Sequence, residues 1–254
     1  MRRNCLARGG YRRSSKGQHF FPQPATIAPS YDSLMKVSMQ PIKYDSADFF
    51  ISAQKYSQCP ADTGSEVAFA GRSNAGKSSA MNALTRNSKL ARTSKTPGRT
   101  QLLNFFTLNG GDYRLVDLPG YGFAKVNRTM KADWEENIGE YLAERCSLKG
   151  VVLVMDIRHP MTEFDNRMVQ WAIEAEMPMR ILLTKSDKLK KGPAKNTFLK
   201  IRSELQSRAP WLSVQTYSSL KKEGIVELNE WLTGQLVEPT EGETDSAALV
   251  APLG

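Results

Sequence analysis

Short apolar runs alternate with amphipathic segments along most of the chain. The apolar runs predict strands at 66–70, 101–108, 113–117, 150–156, 180–184 and 212–218. Between and after them, apolar residues recur at helical spacing, which predicts helices at about 77–85, 130–146, 162–176, 194–207 and 224–236. Buried strands that alternate with amphipathic helices are typical of an α/β fold. We therefore expect a mainly parallel six-stranded sheet with helices on both faces.

The two ends of the chain lack this periodicity. Residues 1–39, rich in Arg, Ser, Gly and Pro, predict a disordered extension before a folded domain over 40–236, and the acidic segment 237–254 predicts a flexible tail. The extension has three interpretations: a nucleic-acid-binding arm, an organelle transit peptide, or translated sequence upstream of the true start. We favour the third, because Met35 and Met39 are both suitable initiators.

The chain is basic, with a formal net charge of +9. This charge favours a polyanionic partner such as nucleic acid, although it also serves ordinary solubility. The longest aliphatic run, Val151–Met155, is far shorter than the roughly 18 residues of a membrane helix, and no secretory signal is evident. Three widely spaced cysteines and two histidines do not suggest a zinc site. We expect a cytoplasmic protein that does not enter a membrane.

The segment GRSNAGKS, residues 71–78, matches the phosphate-binding pattern G-x-x-x-x-G-K-[ST]. It follows a predicted strand and opens a predicted helix, which is the context that the chemistry requires. Backbone N–H groups of such a loop surround a diphosphate, Lys77 reaches the β- and γ-phosphates, and the Ser78 hydroxyl can bind Mg²⁺. The predicted nucleotide contacts here are Gly71, Arg72, Ser73, Asn74, Ala75, Gly76, Lys77, Ser78 and Ser79.

The segment TKSD, residues 184–187, follows the strand RILL and is similar to the guanine-specificity motif [NT]-K-x-D. The Asp187 carboxylate can accept two hydrogen bonds from guanine, whereas adenine presents no matching donors. The Lys185 stem can lie along the base, and the Ser219 backbone N–H can meet guanine O6. The predicted base contacts are Thr184, Lys185, Ser186, Asp187, Tyr217, Ser218 and Ser219.

The segment DLPG, residues 117–120, is typical of a switch that senses the γ-phosphate. Asp117 can hold Mg²⁺ through a water, and Gly120 can offer its N–H to the γ-phosphate. Upstream, in TSKTPGRTQ, Thr100 is a candidate switch ligand of Mg²⁺, but Thr93, Ser94 and Thr96 compete with it on sequence alone. Leu118 and Pro119, with Gly98 and Arg99, complete the predicted nucleotide contacts.

Six motifs occur in the order and spacing of one family: GRSNAGKSS, SKTPGRTQ, DLPGYGFA, DIRHPM, LLTKSDKL and SSLKKEG. Over residues 40–236 the chain resembles the EngB/YihA/YsxC family of bacterial GTPases, in the TrmE-Era-EngA-EngB-Septin-like class. The resemblance implies a Ras-like P-loop G domain that binds GTP and GDP and depends on Mg²⁺. It also implies a monomeric protein that acts in large ribosomal subunit assembly and in normal septation and cell division.

The resemblance further assigns roles to individual residues. It makes Ser78 and Thr100 the direct Mg²⁺ ligands, with Asp117 acting through water, and it places Lys77, Thr100 and Gly120 in catalysis. Spacing alone does not select Thr100 over Thr96.

The position after Gly120 holds Tyr121, where Ras-like GTPases usually carry a glutamine that orients the attacking water. We therefore expect slow intrinsic hydrolysis. Two activators of hydrolysis are possible: a K⁺ ion held by Asn74, or the ribosomal particle itself. The alternative role for Asn74 is a local hydrogen bond that stabilises the loop.

Two further interpretations compete with a timing GTPase. The chain could be a nucleotide-gated rRNA-binding module whose hydrolysis is incidental, or a P-loop kinase, against which the guanine motif argues. Five lysines on the predicted nucleotide edge fit either a solvated face or a phosphate-contacting rim for rRNA: Lys188, Lys190, Lys191, Lys221 and Lys222.

Overall fold

The computed structural model describes residues 41–91, 102–111, 113–121 and 137–237 of the 254-residue chain. The elements below all belong to one unit that includes the chain from Lys43 onward. The predicted extension, the tail after residue 237, and the predicted contacts Gly98, Arg99 and Thr100 lie outside the described residues.

Within the described ranges, seven strands form one sheet: β1 (Asp48–Ala53), β2 (Ser65–Gly71), β3 (Leu103–Leu108), β4 (Tyr113–Asp117), β5 (Leu148–Asp156), β6 (Met179–Thr184) and β7 (Leu212–Thr216). Their order across the sheet is β1-β3-β4-β2-β5-β6-β7. The pairs β1–β3 and β3–β4 are antiparallel, and all other neighbours are parallel. The mainly parallel sheet is confirmed, but the predicted count of six strands is wrong.

The strand that the sequence pattern missed is β1, at the edge of the sheet. Its residues Phe49, Phe50 and Ile51 are all exposed, and its register against β3 shifts between Phe49 and Ile51. An edge strand with a bulge does not alternate between buried and exposed positions, so the period-two signal is absent.

In the part of the chain that the structure describes, five α-helices connect and cover the strands: α1 (Lys77–Leu84), α2 (137–144), α3 (Glu163–Glu174), α4 (Lys191–Gln206) and α5 (Ile225–Leu236). The helix α4 begins three residues before the predicted start. Pro193 is tolerated there because it lies in the first turn, where a backbone N–H would have no intrahelical partner. No helix in the described ranges has both the length and the apolar character needed to cross a bilayer.

Helices pack on both faces of the sheet, as predicted. Buried residues of α2, α3 and α4 form one core with strand residues such as Ala68, Leu153 and Ile181. The helices α1 and α5 contact each other and β2. Because both faces are covered, all seven residues of β2 are buried.

A buried charge network closes the amino-terminal end of β2. The fully buried Glu66 accepts hydrogen bonds from Arg114 Nε (2.6 Å), from Arg145 Nε and a terminal nitrogen (3.0 and 2.7 Å), and from the Tyr141 hydroxyl (3.1 Å). Arg145 also donates to the carbonyl of Pro60 (2.8 Å). The network ties the segment before β2 to the sheet, at the end opposite the loop that follows Gly71.

Candidate functional site

The carboxyl ends of the parallel strands bring the predicted motifs to one edge of the sheet. The glycine-rich loop begins at the last residue of β2, the DLPG segment begins at the last residue of β4, the TKSD segment spans the end of β6 and the turn after it, and Ser218 follows β7. In open α/β sheets, ligands bind at this edge. The fold therefore gathers the described candidate residues, which are dispersed along the sequence, into one site.

The glycine-rich loop turns sharply into α1 through two residues in the left-handed region. Asn74 and Gly76 adopt left-handed conformations, with φ of 65° and 103°. A Cβ at residue 76 would also lie 3.3 Å from the Thr184 hydroxyl, so glycine suits this position for two reasons. The first turn of α1 closes when Ala80 N–H donates to the Gly76 carbonyl (2.9 Å). The amino terminus of α1 thus opens directly beside the loop.

Lys77 forms an ion pair with the Asp117 carboxylate at the end of β4. Both side chains are mostly covered, with 11% and 12% exposed. The two motifs are therefore in contact across the sheet, although they lie 40 residues apart. The half-buried Ser78 follows in the same helical turn.

The donors gathered here suit Mg²⁺, which prefers hard oxygen ligands such as hydroxyl and carboxylate groups. Ser78 supplies a hydroxyl and Asp117 a carboxylate. Ser78 follows Lys77 in α1 and Asp117 is paired with Lys77, so the described residues fit the ion. The third predicted ligand, Thr100, lies outside the described part of the chain. When bound, Mg²⁺ would neutralise charge on the phosphates.

The backbone of the DLPG segment is fixed to the phosphate loop. Leu118 N–H donates to the Phe69 carbonyl (3.0 Å), Tyr121 N–H to Gly71 (3.4 Å), and Ser73 N–H to Tyr121 (2.8 Å). The Leu118 side chain lies in the core. Only its backbone can serve the predicted nucleotide contact.

Tyr121 is buried and cannot take the place of a water-orienting glutamine. Its ring stacks on Phe164, with centroids 3.9 Å apart, and its hydroxyl donates to the Asp165 carboxylate at the start of α3. Burial, and then the neighbouring Asp165, raise the pKa of Tyr121 well above its usual value, so the hydroxyl stays protonated.

The partner of Tyr121, Asp165, is a residue that sequence reasoning missed. It is 2% exposed and accepts from the Thr162 backbone N–H (2.8 Å) and hydroxyl (2.7 Å) as a helix capping box. The T-x-x-D spacing at a helix start was the available signal. We call the Tyr121–Phe164–Asp165 contacts the tyrosine latch.

The start of the guanine motif is held against the phosphate loop. The Thr184 hydroxyl contacts the Ala75 carbonyl, and it lies 3.0 Å from the Met155 carbonyl. Lys185, at a φ of 59°, donates from Nζ to the Asn74 carbonyl (2.5 Å). These bonds set the distance between the predicted phosphate and base subsites.

Asp156, at the end of β5, holds Lys185 in this position. Its carboxylate accepts two bonds from Arg158 (2.9 and 2.6 Å) and lies 3.0 Å from Lys185 Nζ. Arg158, and then Lys185, hold the pKa of Asp156 well below its usual range, so it remains a carboxylate and does not serve as an acid. His159 N–H donates to the Asp156 carbonyl in the adjoining turn (2.9 Å).

Asp187 is ionised, and the loop after β7 orients its carboxylate. The Ser218 hydroxyl donates to its Oδ1 (2.7 Å), and Lys188 Nζ lies 3.4 Å from its other oxygen. The Ser218 bond, with a smaller contribution from Lys188, lowers the pKa of Asp187. A carboxylate that is fixed and ionised can accept the paired donors of guanine.

Tyr217 is fully buried, as is the neighbouring Ser218, and its side chain contacts α1. Its hydroxyl donates to the Ala80 carbonyl (3.3 Å), and burial raises its pKa to about 12. The Ser186 N–H and hydroxyl donate to its carbonyl (3.2 and 3.1 Å). The Tyr217 side chain therefore braces α1 against β7, and its carbonyl orders the TKSD turn.

Known proteins are similar to this chain in sequence and in fold. A family model described as 50S ribosome-binding GTPase matches residues 66–185. The probable GTP-binding protein EngB of Pseudoalteromonas translucida is 55% identical over 201 residues, 77% of this chain and 90% of the relative. That of Hydrogenovibrio crunogenus is 50% identical over 210 residues, 81% of this chain and 99% of the relative.

Solved structures agree on the fold. A probable EngB structure superposes with a TM-score of 0.53 at 21% identity, covering 66% of this chain and 98% of the other. Era bound to MgGDPNP and a 16S ribosomal RNA segment gives a TM-score of 0.52 at 22% identity, covering 70% and 58%. At these identities the likeness establishes the fold alone.

Proposed function

Because the chain belongs to the EngB family of GTP-binding proteins, we propose that its GTPase cycle times a late step in assembly of the large ribosomal subunit. The chain is a P-loop GTPase that binds GTP and GDP, and GTPases of this kind generally use Mg²⁺. In the proposal, the GTP-bound form docks on the precursor particle in the cytoplasm as a monomer, and hydrolysis releases it. By the same resemblance, loss of this step disturbs septation and cell division.

The direct contact between the phosphate loop and the guanine motif is the observation that best supports nucleotide binding in this proposal. Lys185 donates to the Asn74 carbonyl and Thr184 contacts the Ala75 carbonyl, so the two subsites are held together within one frame. Asp187, fixed by Ser218, selects the base. We assign phosphate contacts to Lys77 and to the loop backbone, and Mg²⁺ contacts to Ser78, Thr100 and, through water, Asp117.

The ribosomal part rests on charge and on family. The matching family model is described as a 50S ribosome-binding GTPase, and the chain carries a formal net charge of +9. Lys188, Lys190, Lys191, Lys221 and Lys222 are exposed on the two loops that follow β6 and β7 and on the first turn of α4. We infer that this rim contacts rRNA phosphates beside the nucleotide site.

Sedimentation with large-subunit precursors tests this proposal. We expect co-sedimentation with a non-hydrolysable GTP analogue and release with GDP. The double charge reversal Lys190→Glu and Lys191→Glu should weaken particle binding and flatten its salt dependence, while GTP affinity stays unchanged. Reversal of two exposed lysines elsewhere, Lys43→Glu and Lys55→Glu, is the matched control.

Equal binding of the GTP-analogue and GDP forms to the particle would contradict the timing role. Normal particle release by a variant that binds GTP but cannot hydrolyse it would favour a nucleotide-gated rRNA-binding module instead.

We further propose that Asn74 binds K⁺ beside the phosphates. Its side chain is exposed, and none of the hydrogen bonds among the described residues involves its amide. This favours a ligand role over the alternative of a local loop contact. Turnover should be faster in KCl than in NaCl, and Asn74→Ala should remove the difference. Equal rates of the unaltered protein in the two salts would refute the K⁺ site.

A further inference from the structure

With Tyr121 held in the tyrosine latch, the group that contacts the attacking water has to be sought elsewhere at the γ-phosphate end of the site. Tyr121 is turned into the core, so the residue at the glutamine position has no polar group facing the nucleotide. Hydrolysis still requires a water placed in line with the terminal phosphorus. A polar group beside Gly120 would lie within reach of that water.

Ser73 is the polar side chain that lies beside Gly120. A Cβ placed on residue 120 would meet Ser73 Oγ at 3.0 Å and the Ser73 backbone at 3.4 Å. Ser73 N–H is itself held by the Tyr121 carbonyl at 2.8 Å. The latch, the DLPG segment and Ser73 therefore form one connected unit at the phosphate end, next to the Lys77–Asp117 ion pair.

The Ser73 hydroxyl is buried and has no hydrogen-bond partner among the described residues. A buried hydroxyl without a partner destabilises a protein, and alanine would fill the same space at no such cost. Neighbouring groups of the loop, such as the Asn74 and Ala75 carbonyls, are bonded. Ser147 Oγ and Asn229 Oδ1 are the other described side-chain atoms in this state, but only Ser73 lies in the phosphate loop and beside Gly120. For Ser73 we therefore infer a partner that arrives with the nucleotide.

We propose that the Ser73 hydroxyl hydrogen-bonds the attacking water in the GTP-bound state. The inference rests on the proposed nucleotide geometry, in which Gly120 faces the γ-phosphate. Gly120 lies beside the buried hydroxyl, so we expect the contact to form when Gly120 moves to the γ-phosphate. The water oxygen then bonds to the γ-phosphorus as the bond from that phosphorus to the bridging oxygen breaks. GDP and inorganic phosphate leave, and they carry the protons of the water.

The substitution Ser73→Ala tests the proposal, because it removes one oxygen and little else. One lost hydrogen bond to the reacting water should lower kcat by about 10- to 100-fold. Affinities for GDP and for a non-hydrolysable GTP analogue should change by less than about threefold. Because an unsatisfied group is removed, the melting temperature should stay equal or rise. Slower turnover at unchanged nucleotide affinity is the outcome that a merely structural serine would not give.

Ser147→Ala is the matched control, since Ser147 is also a buried serine (3% exposed) but lies directly before β5, at the end of the sheet away from the nucleotide motifs. It should leave kcat unchanged. Wild-type turnover by Ser73→Ala would overturn the proposal. So would a selective loss of GTP-analogue affinity, because it would assign the hydroxyl to the γ-phosphate.

The outcomes for Ser73→Ala can be distinguished from a failure of the proposed nucleotide geometry by a separate measurement on the unaltered protein. If the unaltered protein binds the GTP analogue and GDP with no change in the environment of Gly120, monitored by its amide NMR signal, then the premise fails. A normal response of that signal in Ser73→Ala, combined with slow turnover, supports the inference.

Discussion

The tyrosine latch makes a sharp prediction for Tyr121→Phe, which deletes one hydroxyl and keeps the ring. The hydroxyl donates to the buried Asp165 carboxylate, and hydrogen bonds to charged groups contribute about 1.5–3 kcal/mol. Asp165 keeps its two bonds to Thr162, and the stacking on Phe164 survives. We therefore expect a loss of about 2 kcal/mol in the free energy of unfolding.

For a domain of this size, each kcal/mol shifts the melting temperature by about 2–4 °C, so the expected decrease is about 4–8 °C. Function should change selectively. The Tyr121 backbone positions Ser73 and Gly120, which we place near the γ-phosphate. GTP-analogue affinity and kcat should fall several-fold, whereas GDP affinity should stay within about twofold. Thermal unfolding, nucleotide titration and single-turnover hydrolysis measure these quantities.

Tyr141→Phe is a matched control, because Tyr141 is also buried and also donates to a buried carboxylate, that of Glu66 (3.1 Å). This pair lies at the amino-terminal end of β2, away from the nucleotide motifs. It should cost stability without changing the ratio of GTP-analogue to GDP affinity. A Tyr121→Phe variant that matches the unaltered protein in stability and turnover, or an equal change of that ratio in both variants, would contradict the role given to the tyrosine latch.

Two other substitutions test the buried charge network around Glu66 and the ion pair that positions Lys185. Glu66→Gln leaves Arg114 and Arg145 without their buried counter-charge, so urea unfolding should show a loss of about 3–5 kcal/mol, and a loss below about 1 kcal/mol would contradict the network. Asp156→Asn should free Lys185 and weaken GTP and GDP binding alike, as measured by titration; unchanged affinities would refute that anchor. Because the folded pKa of Asp156 is depressed, its contribution is present above the unfolded pKa of about 3.9 and is lost as pH falls from there towards the folded value. Lys185 anchoring should therefore be constant from about pH 5 to 8, and an affinity that titrates with the Asp156 carboxylate in that window would contradict the assignment.

Local pattern predicted most of the fold, because the core strands are continuous apolar runs such as Val151–Met155. The strand β1 was missed since its three consecutive exposed apolar residues have no alternation to detect. The start of α4 was displaced because proline usually signals the end of a helix and here sits in a first turn. Both departures depend on position in the fold rather than on composition.

The motifs of the site were visible in the sequence because each is short and contiguous. Its supporting contacts were not, since they join residues far apart along the chain. Tyr121 and Asp165 are separated by 44 residues, and Lys185 and Asn74 by 111. The sequence showed that glutamine is missing after Gly120, but only the fold shows that Tyr121 is buried and that the Ser73 hydroxyl lies nearby.

Base selection by Asp187 is central to the proposed function, and competitive binding of GTP and ATP tests it directly. A buried site built to bond two guanine donors should prefer GTP on the order of 10⁴-fold, and Asp187→Asn should abolish most of that preference while phosphate binding by Lys77 persists. Comparable affinities for GTP and ATP in the unaltered protein, or an undiminished preference in Asp187→Asn, would contradict it.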